Sequence, residues 1–178
     1  MKLTIIPFES VPPDFSRLLA KRLRRILPWR FAVAPIMPEP AAGGDYDAGD
    51  VASYLSLLPH SGHHENLAIG LTALDLKVTP MESVFGYAEV DGRAAIISIY
   101  HLRNGTELRT NGHRLLLDRA AKEALHEVGH LMGLPHCAQP GCVMLYSQTL
   151  HDTDIKQAQY CPDCLRELSR LPESATGG

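Results

Sequence analysis

Hydrophobic and polar positions alternate along the chain with two periods, and the switches between them outline the elements. Residues 2–8 read as a first strand, with Leu3, Ile5 and Ile6 apolar and Pro7 near its end. Residues 12–27 predict a helix. Phe15, Leu18, Leu19, Leu23, Ile26 and Leu27 fall on one face, and Arg17, Lys21, Arg24 and Arg25 lie off it as a solvated face. Residues 29–35 alternate and read as a second strand. Residues 36–47, rich in Pro, Gly and Ala, read as a loop. Residues 48–58 predict a short helix with Asp47 as its N-cap. A third strand lies within residues 66–76, centred on residues 67–71. The clearest β signal is residues 84–100, where F-G-Y-A-E-V and A-A-I-I-S-I-Y flank Asp91-Gly92, a favoured two-residue hairpin turn. After a loop at 101–112, residues 114–132 predict a long helix with Leu116, Ala120, Ala124, Val128 and Leu131 as its buried stripe. Residues 152–160 are polar and compatible with a helix. Pro162 stands where a last helix would begin, with Leu165, Leu168 and Leu171 along it, and residues 172–178 read as a frayed tail. The order β-α-β-α-β-β-β-α describes an α+β chain, a mixed sheet with helices packed behind it.

Composition narrows the picture. A chain of 178 residues with 45% hydrophobic content makes one domain, or one domain with a small lower lobe. The net charge of -3 gives no overall attraction to nucleic acid or an anionic membrane. The apolar run at residues 3–8 is too short for a signal peptide, and no stretch approaches a transmembrane length. The expected location is therefore cytoplasmic. In a reducing compartment four cysteines favour metal ligation over disulfides, although an even number also fits two disulfides.

The candidate chemistry sits on the long helix. Residues 123–142 contain H-E-x-x-H-x-x-G-x-x-H as His126, Glu127, His130, Gly133 and His136. Two histidines four apart share one helix face, about one turn from each other. Gly133 takes a positive φ freely, so it can stop the helix and turn the chain back, bringing His136 to the same metal. Three histidine ligands leave a fourth zinc position open for water, as in a catalytic site. Zinc lowers the pKa of that water from about 15.7 to about 7. Glu127 is placed to take its proton as it attacks a peptide carbonyl, and to pass that proton to the leaving nitrogen. Downstream, Cys137, Cys142, Cys161 and Cys164 have structural-zinc spacing and would close a four-thiolate site.

A third histidine trailed by C-x4-C-x-M and a later C-x-x-C resembles the archaemetzincins, zinc metallopeptidases of the metzincin clan. The specific part of the resemblance runs from His126 to Cys164. It implies a metzincin-like fold: a mixed twisted sheet with a backing helix and an active-site helix, then a small C-terminal lobe holding the four-cysteine zinc site and a terminal helix. It implies an N-terminal subdomain over residues 1–133 and a C-terminal one over residues 134–178, within one catalytic domain. Met144 would be the methionine of the Met-turn beneath the zinc, and Tyr146 a group that reaches the metal or stabilises the oxyanion. The implied cofactors are two zinc ions, one catalytic and one structural. The implied partner is a peptide or protein substrate, met by an edge strand of the 84–100 hairpin, with the chain acting as a monomer. Aminopeptidase action would need an acidic group near the metal, for which Glu82, Glu89 and Asp91 are candidates.

Three other readings compete. The histidines could hold zinc in a binding module with latent activity. Cys161-Pro162-Asp163-Cys164 could be a thiol redox site, although no βαβ unit precedes it. Cys137, beside His136, could compete for the first metal. His60, His63, His64 and Glu65 match no familiar ligand spacing and read as a surface loop.

Overall fold

The computed structural model describes residues 1–39, 46–58, 66–78, 81–106 and 111–170. Its elements are β1 (Lys2–Pro7), α1 (Phe15–Leu23), β2 (Arg30–Val33), β3 (Tyr46–Asp47), α2 (Ala48–Ser56), β4 (Asn66–Thr72), β5 (Leu76–Val78), β6 (Met81–Val84), β7 (Gly86–Ala88), β8 (Ala94–Ser98), α3 (Gly112–Leu131), α4 (Leu150–Ile155) and α5 (Pro162–Arg170). The main sheet has the order β2-β1-β4-β8-β7, parallel except for the antiparallel edge strand β7.

Both faces of this sheet are covered, so its inner strands are continuous apolar runs rather than alternating ones. Leu3, Ile5, Leu67, Ile69, Leu71, Ala95 and Ile97 join the core under α1 and α3. Ile6, Phe8, Ala68, Ala94 and Ile96 join a second core under α2 on the other face. The helices thus do not all lie behind the sheet, as the element order alone suggested. Gly70 in β4 faces α2, and a Cβ there would fall 2.5 Å from Leu55 Cδ1 and 2.8 Å from Ile96 Cδ1. The strand gives up a side chain so that α2 can seat its leucine.

Asp47 caps α2 as expected, its Oδ1 accepting from the N–H groups of Gly49 and Asp50 at 2.9 and 3.1 Å. Two details differ from the sequence reading. A small sheet, β3-β5-β6, takes its first strand from the end of the segment read as loop and the other two largely from residues 77–83, which the sequence reading left unassigned. The hairpin turn is one residue earlier than predicted. Gly92 N–H donates to Glu89 C=O at 2.9 Å, and the left-handed residue is Asp91 at φ 58, not Gly92. Aspartate tolerates that region because its short side chain bonds locally. The earlier turn lets Asp91 N–H reach His130 C=O at 3.0 Å, docking the hairpin on the end of α3.

No helix among the described residues is long and apolar enough to cross a membrane.

Replacing Gly70 by alanine should force Leu55 and Ile96 apart and cost about 1–3 kcal/mol, the usual range for overpacking. Urea unfolding read by far-UV circular dichroism measures this, and an unchanged midpoint would contradict it.

Candidate active site

The C-terminus of α3 organises the site. Gly133 N–H donates to His130 C=O at 2.9 Å, and Leu134 N–H donates to Gly129 C=O at 2.8 Å. These two bonds form a Schellman stop, and Gly133 takes the left-handed conformation it needs at φ +83. A Cβ at Gly133 would also lie 2.7 Å from Asp91 Oδ1. The turn sends the chain back over the helix end. Leu134 C=O then accepts from His130 Nδ1 at 2.8 Å, and His136 arrives as the third imidazole.

On the same helix, His126 Nδ1 donates to Val143 C=O at 2.9 Å. A carbonyl can only accept, so both rings carry their hydrogen on Nδ1 and present a bare Nε2. Those two Nε2 atoms face each other at 3.1 Å. Two lone pairs at that range repel unless a cation lies between them. Tetrahedral zinc with bonds of about 2.0–2.1 Å separates its nitrogens by about 3.3–3.4 Å, so the spacing fits. The His136 ring lies 5.2 Å from that of His126 and 4.8 Å from that of His130. Burial holds the His126 pKa down to about 3 and is also the first cause of the lowered values of His130 and His136. All three rings are therefore neutral and ready to coordinate.

Met144 is fully buried and packs on α3 at Gly129, next to His130. A Cβ at Gly129 would fall 2.2 Å from its sulfur. A mid-helix glycine ordinarily costs about 1 kcal/mol relative to alanine, and here the space it leaves is filled by Met144. Glu127 is buried, lines the cleft and has no hydrogen-bond partner among the described residues. Strand β7 runs directly past it, for a Cβ at Gly86 would lie 2.6 Å from Glu127 Oε1. Burial first, then the charge of Glu123, raises the Glu127 pKa well above the ordinary carboxylate range, against the opposing charge of Lys156. Tyr146 lies with its ring 5.0 Å from His136, exposed to the cleft and with its hydroxyl unpartnered among the described residues.

The four cysteines form a second cluster. Cys137 and Cys161 Sγ are 3.8 Å apart, as are Cys142 and Cys164, and all four sulfurs lie within 4.8 Å of one another. No disulfide forms at such separations. Zinc bonds of about 2.3 Å would set tetrahedral sulfurs about 3.8 Å apart, so this donor set also fits. Cys137 belongs with the other cysteines, not with the histidines. Adjacent residues tie the clusters together: Cys142 is a cluster thiol, Val143 holds His126, and Met144 both packs on α3 at Gly129 and accepts from Cys137 N–H at 2.9 Å.

The triad opens on a cleft of about 790 Å³. The segment from Val84 to Ala88 forms its upper rim, and Tyr146, Ser147 and Gln148 its lower one. Of the three acidic candidates, Glu89 and Asp91 do not line it, and the Glu82 side chain lies outside the described residues. The acidic groups that line it are Glu123 and Glu127. Glu123 was not singled out in the sequence, although its place one turn before Glu127 on the same helix marks it as a neighbour of the site. Residues 60–65, with the histidine run, lie outside the described residues.

Edge strand, histidine triad on a glycine-stopped helix, and buried methionine together define a zinc metallopeptidase class of site. The comparisons agree. The model of "Peptidase family M54" matches residues 61–170. An archaemetzincin of Methanocaldococcus jannaschii is 32% identical over 171 residues, covering 94% of this chain and 93% of its own length. One from Thermococcus kodakarensis is 44% identical over 102 residues, covering 57% of this chain and 55% of its own length. The crystal structure of a zinc-dependent peptidase from Methanocorpusculum labreanum superposes with a TM-score of 0.81 at 27% identity, covering 93% of this chain and 99% of that one. The chain belongs to peptidase family M54, with the archaemetzincins.

Gly133→Ala would force a left-handed conformation worth about 1–2 kcal/mol and a clash with Asp91. Stability should fall by at least that much, and zinc held by the histidines should dissociate more readily. Chelator competition checks the second effect, and unchanged retention would contradict it. Cys164→Ser should weaken zinc at the histidine triad by about 10–100-fold, as loss of an outer support does. Undiminished triad affinity in a folded variant would show that the two clusters are independent.

Proposed function

We propose that this chain is a zinc-dependent peptidase in which His126, His130 and His136 hold the catalytic zinc and Glu127 acts as general base. The observation that carries this reading is the pair of bare Nε2 atoms at 3.1 Å, with the buried Glu127, which has no hydrogen-bond partner among the described residues, lining the same cleft. When bound, zinc would polarise the substrate carbonyl and acidify water at its open position. Glu127 accepts a proton and returns it to the leaving nitrogen. Burial raises its pKa, the direction suited to a base that must later act as an acid. Tyr146, exposed beside His136, is the residue placed to donate to an oxyanion. The free edge of β7 offers backbone groups to an extended peptide by strand addition. Cys137, Cys142, Cys161 and Cys164 hold a second, structural zinc, giving two ions per chain. Residues 1–133 then form the upper part of the domain, and residues 134–178 the lower.

Glu127→Gln tests the reading. It should lower peptide hydrolysis by about 10²–10⁴-fold, the usual worth of a general base, while zinc content by elemental analysis stays near two per chain. Unaltered hydrolysis, or no hydrolysis of any peptide by the zinc-loaded native protein, would favour a binding module instead.

A further inference from the structure

The cleft has a second end. From the triad it runs back along α3 to Glu123, where His101, Asn104 and Gln148 also line it. Buried polar contacts build this end. Arg119, one turn before Glu123, donates to the carbonyls of Leu102 and Asn104 at 2.7 and 2.9 Å and pairs with Asp154 at 2.7 Å. The loop bearing His101 and Asn104 and the helix α4 are thereby fixed against the same stretch of α3.

Glu123 is 3% exposed. Its Oε1 accepts from Thr153 Oγ1 at 2.9 Å and faces Lys156 Nζ, itself fully buried, at 3.0 Å. Its other oxygen has no hydrogen-bond partner among the described residues, and the residue lines the cleft. His101 Nε2 bonds Asp75 Oδ1 at 2.9 Å, and Ser83 Oγ donates to Asp75 Oδ2 at 3.1 Å. Glu123 therefore has Lys156 as its counter-charge, and Asp75, behind the lining residues His101 and Ser83, is held by hydrogen bonds with both. A cationic substrate group would have to share Glu123 with the buried Lys156 that already balances it, and an anionic one would meet the lining carboxylates of Glu123 and Glu127. Either would leave water without a counter-charge of its own, which is costly. A neutral group with N–H donors can meet the carboxylate oxygen of Glu123 that no described residue uses, in a cleft that Asn104 and Gln148 also line.

We propose that this end of the cleft is a subsite for an uncharged, hydrogen-bond-donating substrate side chain, an amide above all, with Glu123 as its specificity-determining residue. Lys156 and Thr153 are positioning residues that hold Glu123 in place. The proposal rests on the peptidase reading for the identity of its ligand, but its test does not require turnover.

Binding is measured by calorimetry on zinc-loaded Glu127→Gln protein. Two peptide series are used, varied on either side of one central bond with Gln, Leu, Glu or Lys. In one series the Gln peptide should bind about tenfold or more tightly than the Glu and Lys peptides, the discrimination expected of a buried polar site. Equal binding of all four in both series, or tightest binding of a charged one, overturns the proposal. Glu123→Leu with Lys156→Met removes both charges together, so neither is left alone in the core. It should abolish the preference for Gln while the triad keeps its zinc, and a retained preference overturns the role of Glu123. Should that variant fail to fold, Asn104→Leu on the exposed loop should reduce the preference severalfold, and an unchanged preference again overturns it. Turnover of the same peptides by the native protein is scored apart. Gln-selective binding without turnover would remove the peptidase reading and keep the subsite. Turnover without selectivity would do the reverse.

Discussion

Everything at the site depends on two backbone carbonyls. Leu134 and Val143 each accept the Nδ1 hydrogen of a histidine, and so decide which nitrogen is left bare. Neither carbonyl comes from the helix that carries the histidines. Leu134 is in place because Gly133 ends that helix in a left-handed turn. Val143 is in place because Gln159 C=O holds its N–H at 2.9 Å and its neighbours Cys142 and Met144 are anchored on either side. The helix supplies ligands at the right spacing, and the segment after it supplies their orientation.

That dependence explains the polar contact between α3 and α4. Residues 119–129 of α3 are buried nearly all round, charged groups included. Arg119–Asp154 and Lys156–Glu123 pair across the two helices, and Lys122 Nζ donates to Asp154 C=O at 3.2 Å. Such pairs contribute little net stability compared with apolar packing, because desolvation offsets most of their attraction. They do fix direction, since bidentate Arg119–Asp154 geometry admits one relative placement of the helices. A lobe whose task is to aim a histidine ring is better held by directional contacts than by apolar ones that slide.

The metal motif, the cysteine set, Met144 and the main strands were legible in sequence because each rests on local spacing or on a run of one residue class. The polar face of α3 was not. Glu123, Lys122 and Arg119 have the sequence signature of a solvated face, and only the distant residues Thr153, Asp154 and Lys156 make them an interior. The side of the sheet that α2 covers was also illegible, since an apolar run buried on two faces says nothing of which helix lies on which. Gly70 and Gly86 show the same limit. Each is a glycine whose reason is a side chain far along the chain, Leu55 in one case and Glu127 in the other. The turn at Asp91 was missed by one residue because its partner, His130 C=O, lies outside the hairpin.

The placement of the four cysteines follows from the same economy of material. A segment as short as residues 134–170 cannot bury enough apolar surface to hold a fixed shape, and small folds of that kind use metals or disulfides instead. Its own apolar contribution is modest: among the described residues, Leu134, Val143, Met144 and Tyr160 are buried besides Cys142 and Cys164, all in the core to which α3 contributes. Tyr160 even spends its hydroxyl on α3, donating to Leu125 C=O at 2.7 Å. A metal bound by Cys137, Cys142, Cys161 and Cys164 would close the segment on itself, with the first thiol next to His136 and the second two residues from Met144. A disulfide would fix two points, whereas four thiolates around one metal would fix four, and one of them, Cys142, adjoins Val143, whose carbonyl orients His126. The four thiols lie beside the residues that orient the triad, so a metal there would act on the triad through the shortest path in the chain.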